Sequence, residues 1–299
     1  MSGRPSLPQV PPRLPLQEAA APFSLSDCDF ERLRRLALEL TGIALGPGKR
    51  TMLEARLSRR LRALGLRSFG EYYRLLERQG PADEERVRFV NALTTNKTEF
   101  FREAHHFAFL REQWAPARRR QAAGLGSRVR LWSAGCSSGE EPYSIAMTLL
   151  EALGPAWDFR ILASDIDTEV LARAQAGIYT REELARVPVA LRRRYFVPTA
   201  GPERMRIRPE VQARVVFRQI NLLAEPWPIR TRFEIIFCRN VLIYFDRATQ
   251  RRVVERFARV LAPSGLLVLG HSESLLGLAT GFTHLGGTIY RRIESAESP

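Results

Sequence analysis

The sequence predicts an α/β protein in which a small helical domain precedes a mostly parallel sheet. Between residues 24 and 90, apolar residues recur at the three- and four-residue spacing of helices. From residue 128 to residue 293, apolar strand-like runs alternate with helical segments, the pattern of a parallel sheet covered on both faces. Residues 180–214 interrupt this alternation with short extended runs and are too long for an ordinary connection, which indicates a small inserted β-subdomain.

The composition is that of an ordinary globular protein, with 45% apolar and 26% charged residues among 299. No apolar run approaches the length of about eighteen residues that crosses a membrane, so we expect no membrane insertion. Residues 1–23 are proline-rich and lack the apolar core of a signal peptide, which predicts a disordered extension, and residues 294–299 form a short tail.

The cysteines and histidines do not indicate a disulfide framework or a metal site. The three cysteines are widely spaced without a CxxC pair, and the four histidines lack ligand spacing. We therefore expect a protein of the reducing cytoplasm that binds no metal.

The formal net charge of +14 is the strongest feature of the composition. It implies an acidic partner, and composition leaves open whether this is nucleic acid, anionic lipid or an acidic protein surface. Arginine supplies much of the charge, which a genome rich in G and C would also explain.

Three helices are predicted in the helical domain. The first begins with Ser26 or Asp27 as its N-cap and ends at Gly42. The second, KRTMLEARLSRRLRALGL, has one leucine face, and its other faces carry Arg56, Arg59, Arg60 and Arg62. The third, FGEYYRLLERQG, ends at Gly80 before Pro81. The domain is expected to bury its leucines and to display its arginines.

Residues 91–127 are expected to link the two domains and to contribute to a cofactor pocket. They begin with NALTTNKTEFFRE, in which small hydrogen-bonding side chains precede two phenylalanines, a composition poorly suited to a helix interior. Phe100 and Phe101 are expected to anchor this linker in the core.

The domain from residue 128 to residue 293 contains the strands of the predicted sheet. The strand-like runs are RVRLWSAG, FRILASD, ARVVFRQINL, RFEIIFCRN, SGLLVLGHS and GTIYRRI, and the helical runs are EEPYSIAMTLLEALG, DTEVLARAQAGIY and RATQRRVVERFARVLAP. Ligands of such sheets bind at the carboxyl ends of the strands, so the residues after each strand are candidates for a site.

The loop after the first strand indicates a cofactor site. Gly135 and Gly139 allow a ligand to approach the backbone, but Glu140 and Glu141 stand where a pyrophosphate would bind at the helix N-terminus. This favours a cofactor with positive charge and hydroxyl groups, such as S-adenosylmethionine, and the alternative is a plain turn with helix-capping glutamates. Asp165, at the end of the second strand, stands where a ribose-binding carboxylate is expected, and we interpret the nearby Asp167 as a helix N-cap.

Five motifs in one order resemble those of the CheR-type chemoreceptor glutamate O-methyltransferases. They are NALTTNKTEFFRE, WSAGCSSGEEPYSIAM, ASDIDTEVLARAQAGIY, FCRNVLIYFD and LVLGHSESL, and the similarity runs from about residue 25 to 293. It implies a Rossmann-type methyltransferase sheet with an N-terminal helical domain and an inserted antiparallel subdomain. It also implies transfer of a methyl group from S-adenosylmethionine to glutamates of chemoreceptor cytoplasmic domains, which gives glutamyl methyl esters and S-adenosylhomocysteine.

The resemblance also implies the residues of the site. The polar linker is expected to fold over the cofactor, and the cofactor-binding residues would be Asn96, Thr98, Arg102, Gly135, Glu141, Asp165, Asn221, Leu222, Arg239 and Asn240. Arg102 is expected to hold the substrate carboxylate, because guanidinium geometry matches it, and Tyr244 is expected to line the methyl-transfer site. The alternatives are an ion pair between Arg102 and Glu103 or another acid, and a core aromatic role for Tyr244.

The resemblance further suggests the partner. The arginine-rich second helix is similar to the family's basic surface that docks on the acidic methylation helices of chemoreceptors, and the alternative is an ordinary solvated face. The loop VPTAGPERMRIRP in the inserted subdomain looks shorter than in members that bind a C-terminal pentapeptide of the receptor. Recognition without this tether is therefore expected.

Two rival functions stay open. A nucleic-acid methyltransferase would also be basic, but RNVLIYFD lacks the two prolines and aromatic residue typical of enzymes that methylate base amines, so no nucleic-acid partner is expected. The other rival is a non-catalytic module that binds S-adenosylmethionine and regulates a signalling partner. The presence of Arg102, Glu141, Asp165 and Tyr244 argues against it.

Overall fold

A computed structural model describes residues 23–80, 83–121, 128–201, 203–278 and 281–293. All but the last residue of the predicted N-terminal extension, and the whole tail at 294–299, lie outside the described residues. No described helix is long and apolar enough to pass through a membrane.

Four α-helices form the N-terminal part of the described chain. They are α1 (Asp27–Thr41), α2 (Arg50–Leu64), α3 (Phe69–Arg78) and α4 (Glu84–Leu93), with a 3₁₀ turn at Pro47–Lys49. Ser26 rather than Asp27 caps α1, because its side chain accepts a hydrogen bond from the Asp29 backbone N–H. Leucine and aromatic side chains of these helices form a hydrophobic core of their own.

Two arginines of α2 hold the helical domain together instead of facing solvent, which corrects the predicted basic face. Arg56 donates from Nη1 to the carbonyl oxygens of residues 92–94, at 3.2, 2.9 and 2.7 Å, and so caps the end of α4. Arg60 forms two hydrogen bonds with the buried carboxylate of Glu85, at 2.9 and 2.5 Å. A buried acid needs such a partner, and the periodicity of α2 alone does not reveal it. The exposed cations on and beside this helix are Lys49, Arg59, Arg62 and Arg67.

The linker enters a continuous helical stretch made of α5 (His105–Phe109), a π-helical turn (Leu110–Trp114) and α6 (Ala115–Gln121). Phe100 is buried, with ring centroids 4.9 Å from Tyr179 and 5.8 Å from Phe196. Phe101 packs edge-on against Phe107 at 5.2 Å. The expectation that the two phenylalanines anchor the linker is confirmed.

The rest of the described chain alternates strands and helices. In chain order the elements are β1 (Val129–Ala134), α7 (Glu140–Leu153), β2 (Phe159–Asp165), α8 (Thr168–Ala176), β3 (Ile178–Thr180), α9 (Val189–Tyr195), β4 (Phe196–Pro198), β5 (Arg204–Ile207), α10 (Pro209–Gln212), β6 (Val215–Gln219), β7 (Phe233–Cys238), α11 (Arg247–Val260), β8 (Leu261–Leu269), β9 (Phe282–Gly286) and β10 (Ile289–Arg292).

The central sheet has seven strands in the order β6-β2-β1-β7-β8-β10-β9. The first five are parallel, and β10 is antiparallel to both of its neighbours. One hydrophobic cluster includes residues of α7 and another includes residues of α11, so the predicted mostly parallel α/β sheet is confirmed. The sequence did not predict β9, because four of its five residues are exposed and show no alternation of apolar side chains.

A second, three-stranded antiparallel sheet in the order β3-β5-β4 forms the inserted subdomain. Its first strand begins at Ile178, whereas the sequence predicted a helix through Tyr179. The helix ends earlier because Gly177 adopts a left-handed conformation with φ of 59°, and a Cβ there would come within 2.7 Å of the Ile207 side chain.

Candidate active site

A cavity of about 300 Å³ lies at the carboxyl ends of the parallel strands. The helical domain and the polar linker close it from the other side. Every residue that the sequence assigns to the site lines this one cavity: Asn96, Thr98, Arg102, Gly135, Glu141, Asp165, Asn221, Leu222, Arg239, Asn240 and Tyr244. Their individual roles stay predictions.

Gly135 forms the turn that opens the cavity after β1. Its backbone N–H donates to the Ser164 carbonyl on β2 at 2.7 Å, and its φ is 83°. A Cβ at this position would collide with Cγ2 of Val241, in the loop after β7. Glycine is therefore required both by the backbone conformation and by the close approach of the two loops.

The two glutamates that open α7 face different surroundings. Glu141 lines the cavity, where one carboxylate oxygen accepts from the Ser133 hydroxyl at 2.7 Å and the other from Arg239 at 3.0 Å. Glu140 is buried beside the Ser138 hydroxyl, at 2.8 Å, and burial raises the pKa of this carboxyl above its usual range. Of the two acids, Glu141 is the one that gives the cavity a negative side chain.

Asp165 is buried at the end of β2 and also lines the cavity. Its carboxylate oxygens accept from the backbone N–H groups of Ser137, at 2.8 Å, and Asp167, at 3.0 Å. Burial raises the pKa of the Asp165 carboxyl, although these hydrogen bonds oppose the shift. Asp167 caps α8, as the sequence predicts, because one of its oxygens accepts from the N–H groups of Glu169 and Val170.

The polar linker is docked by the second oxygen of Asp167. This oxygen accepts from the Thr94 hydroxyl at 2.6 Å and from the Asn96 amide at 2.7 Å. The Ser137 hydroxyl donates to the Asn96 carbonyl at 3.0 Å. The linker thus binds the loop after β2 with its small polar side chains and the loop after β1 with the Asn96 carbonyl, and this docking places residues 96–102 along the cavity.

Arg239 joins three parts of the cavity wall. Its side chain is only 2% exposed and pairs with Glu141 at 3.0 Å and with Glu103 at 3.2 Å. Its Nη2 also donates to the Arg102 carbonyl at 2.5 Å. All of these partners are protein groups, so the two Nη atoms hold the linker against α7, while the buried Nε has no hydrogen-bond partner among the described residues.

Asn221 likewise binds protein groups with its side chain. The amide nitrogen donates to the Leu40 carbonyl at 2.8 Å, and the amide oxygen accepts from the Leu223 N–H at 2.9 Å. This residue therefore fastens the end of α1 to the cavity wall.

Arg102, in contrast, has no acidic partner within the described parts of the chain. It is half-buried, and its Nη1 donates to the Lys97 carbonyl at 3.1 Å. The alternative of a pair with Glu103 is not observed, because Glu103 pairs with Arg239 and His271.

Tyr244 is half-buried at the cavity, and its carbonyl accepts from the Ala44 N–H of the helical domain at 3.1 Å.

Three histidines, His105, His106 and His271, lie next to Glu103. Burial alone would raise the pKa of Glu103, but the Arg239 charge and hydrogen bonds from His271 lower it to about 2. Burial, together with the Arg239 charge, lowers the pKa of His106 to about 4. Ligand atoms of Glu103, His105 and His106 lie within 4.8 Å of one another, but a guanidinium on the same carboxylate disfavours a metal cation.

The sequence did not predict the contribution of the helical domain to the cavity. The segment after α1 and the start of α2 line it with Thr41, Ile43, Ala44, Leu45, Lys49 and Met52. Nothing in the helical pattern indicates this contact. Ile166, Ile220, Ile243 and Phe245 were also missed, although each lies beside a predicted site residue and could have been inferred from that adjacency.

The Rossmann-like sheet and the acid-lined cavity at its strand ends define the class of S-adenosylmethionine-dependent methyltransferases. Two family descriptions match the chain: "CheR methyltransferase, SAM binding domain" over residues 96–291 and "CheR methyltransferase, all-alpha domain" over residues 29–94. The chain belongs to the CheR methyltransferase family, and S-adenosylmethionine is its cofactor.

Curated relatives agree with this assignment. The chain is 46% identical to a chemotaxis protein methyltransferase of Klebsiella aerogenes, over 92% of this chain and 93% of the relative. It is 47% identical to the chemotaxis protein methyltransferase of Escherichia coli, over 90% and 92% of the two chains. For chemotaxis protein methyltransferase 2 of Pseudomonas aeruginosa the identity is also 47%, over 88% and 92%.

Proposed function

We propose that the protein transfers the methyl group of S-adenosylmethionine to glutamate side chains of chemoreceptor cytoplasmic domains and forms glutamyl methyl esters. The observation that carries this proposal is Arg102, a cation at the cavity whose described contacts include no acid. A guanidinium in this position suits an incoming carboxylate.

The residues of the cavity fit the cofactor. Glu141 and Asp165 supply negative charge for a donor that carries a sulfonium and an ammonium, and Gly135 leaves the backbone open to close approach. Asp165, at the end of β2, is the acid we assign to the ribose hydroxyls. When bound, the cofactor supplies a methyl group on a positively charged sulfur. The sulfur leaves readily as a neutral thioether.

The remaining chemistry requires positioning more than activation. A glutamate side chain, with an ordinary pKa of about 4.3, is already ionised at neutral pH, so it needs no general base. Arg102 would hold this carboxylate in line with the methyl carbon and the sulfur, and Tyr244 would line the path of transfer. Such alignment lowers the barrier by making the encounter effectively intramolecular.

The receptor surface is proposed to be acidic. The exposed cations Lys49, Arg59, Arg62 and Arg67 lie on and beside α2, and Lys49 also lines the cavity. They would meet the acidic methylation helices of the receptor. We propose recognition without the C-terminal pentapeptide of the receptor, since β4 and β5 are joined by a short hairpin. We also propose that the reaction takes place in the cytoplasm, which is consistent with three free cysteines.

The test is incubation of the protein with labelled S-adenosylmethionine and purified receptor cytoplasmic domains. We expect label on glutamate that mild base releases, as it does from a methyl ester. Base-stable label, or label transferred to nucleic acid and not to the receptor, would overturn the proposal. A receptor domain truncated before its C-terminal pentapeptide tests the tether, and we expect it to be methylated at an unchanged rate.

A further inference from the structure

The motif LVLGHSESL places one acid, Glu273, directly behind the loop that follows β7. Glu273 itself follows β8 and is only 5% exposed. Within the described parts of the chain its carboxylate has no cationic partner, and it accepts hydrogen bonds from backbone N–H groups. A buried carboxylate without a cation is costly unless several donors surround it, so this arrangement requires an explanation.

Four backbone donors surround the Glu273 carboxylate. One oxygen accepts from Asn240 N and Gly270 N, each at 2.7 Å, and the other accepts from Val241 N at 2.9 Å and Ile243 N at 3.3 Å. Three of the four donors belong to the loop after β7. This loop carries two predicted site residues, Asn240 and Tyr244.

The loop turns at a residue in the left-handed region. Asn240 has a φ of 59°, a conformation that asparagine adopts more readily than other non-glycine residues. Gly270 permits the approach, since a Cβ there would lie 2.9 Å from both Asn240 N and a Glu273 oxygen. The Glu273 side chain thus reaches the loop through a gap that only glycine leaves open.

We propose that Glu273 is a positioning residue for methyl transfer: its carboxylate fixes the backbone from Asn240 to Ile243 and thereby sets Tyr244 at the cavity. It acts through the loop and does not touch the substrate. The proposal rests on the proposed function of the site and adds to it a residue behind the cavity wall.

Glu273→Gln is the most direct variant. Glutamine keeps one carbonyl oxygen, so two of the four N–H donors lose their acceptor and face an amide NH₂ instead. We expect the loop to shift, and a misplacement of about 1 Å at a reacting site costs on the order of 100-fold in rate. Of the predicted cofactor-binding residues, only Asn240 belongs to the backbone that Glu273 holds. Gly135 follows β1, Glu141 lies on α7 and Asp165 ends β2, so the affinity for S-adenosylhomocysteine should fall by less than about fivefold.

The experiment measures kcat with receptor domain, S-adenosylhomocysteine affinity by calorimetry, and amide hydrogen exchange of residues 240–243. Glu255→Gln, the same change at an exposed glutamate of α11, is the matched control. Leu76→Ala, in the separate hydrophobic core of the helical domain, controls for lost stability away from the loop. Both controls should keep the wild-type kcat, while Glu273→Gln loses kcat and exchanges faster at residues 240–243.

The proposal is overturned if Glu273→Gln keeps kcat within about twofold of wild type, or if its exchange at residues 240–243 is unchanged. It is also overturned if cofactor affinity falls as much as kcat, which would mean collapse of the whole cavity. If Glu273→Gln does not fold, Glu273→Asp replaces it, since the shorter side chain keeps the charge but cannot reach all four donors. An inactive wild type would contradict the proposed function, and the exchange measurement would still decide the role of Glu273.

Discussion

Gly135 illustrates at the residue scale how the turn after β1 shapes the cavity. Alanine at this position would have a strained φ of 83° and a Cβ that collides with Val241. We expect Gly135→Ala to lose about 2 to 4 kcal/mol of unfolding free energy and most of its affinity for S-adenosylhomocysteine. Chemical denaturation and calorimetry measure the two effects.

Gly154 provides the matched control, because it has a similar φ of 94° but a Cβ added there would meet no atom within 4 Å. Because its ψ of 164° lies in a region that is essentially restricted to glycine, Gly154→Ala should show a backbone cost of about 1 to 3 kcal/mol and unchanged cofactor binding. Equal losses in the two variants would mean that the contact with Val241 is unimportant.

The lowered pKa values of Glu103 and His106 predict that the free energy of unfolding depends on pH in two steps. His106 has a pKa lowered from 6.5 to about 4, so as the pH decreases the unfolded chain takes up this proton before the folded protein does. The free energy of unfolding therefore falls as the pH decreases from 6.5 to about 4. Glu103 has a pKa lowered from 4.5 to about 2, so its contribution is present above pH 4.5 and is lost as pH falls towards 2.

Urea unfolding at a series of pH values checks both windows. Glu103→Gln should flatten the dependence below pH 4.5, and His106→Asn should flatten it between pH 6.5 and 4. If both variants follow the wild-type curve, these two groups do not carry the pH dependence.

The candidate site was largely predictable at this scale, but the partners of its side chains were not. Motif position was enough to bring Asp165, Glu141 and Arg102 to one cavity. It did not indicate that Arg239 and Asn221 bind other protein groups, because hydrogen bonds between residues far apart in sequence depend on the packing of loops that no local pattern describes.

At the element scale, one side of α2 packs within the helical domain and the other is the proposed receptor-binding surface. Arg56→Ala should lower stability, because three carbonyl oxygens at the end of α4 lose their donor, and should affect receptor KM little.

Arg59→Glu should leave stability unchanged and raise the receptor KM about tenfold, since it places a negative charge against an acidic helix of the receptor.

Thermal unfolding and steady-state methylation of both variants distinguish the two roles of α2. An unchanged KM for Arg59→Glu would show that the exposed face of α2 does not meet the receptor.

Most elements were predictable because their apolar periodicity is strong. Among the exceptions are the helices α4, α9 and α10, which the sequence did not predict. Two others are the exposed edge strand β9 and the early end of α8, where Gly177 and the packing against Ile207 decide the boundary. Tertiary contacts, rather than local propensity, set both of these features.

At the scale of the whole molecule, the charge of +14 predicts that receptor methylation depends on salt. Raising NaCl from about 0.05 to about 0.5 M shortens the Debye length and should raise the receptor KM while leaving kcat nearly constant. Initial rates over this range measure it. A KM that does not respond to salt would mean that the net charge plays no part in docking.

The cavity belongs to the assembled molecule rather than to the methyltransferase sheet alone. Ala44 and Leu40 of the helical domain are hydrogen-bonded to Tyr244 and Asn221. No sequence pattern indicates this contact, since the helical domain has a hydrophobic core of its own and its periodicity reports only that core. The proposed methyl transfer requires that the donor site and the acceptor site share one wall of this cavity.

The most direct test of this arrangement is a comparison of kcat and S-adenosylhomocysteine affinity in Arg102→Ala, with Arg102→Lys as the matched control. We expect kcat of Arg102→Ala to fall on the order of 100-fold or more, with partial recovery in Arg102→Lys and a much smaller loss of affinity in both. A loss of affinity equal to the loss of kcat would place Arg102 on the donor, and an unchanged kcat would contradict its role with the acceptor carboxylate.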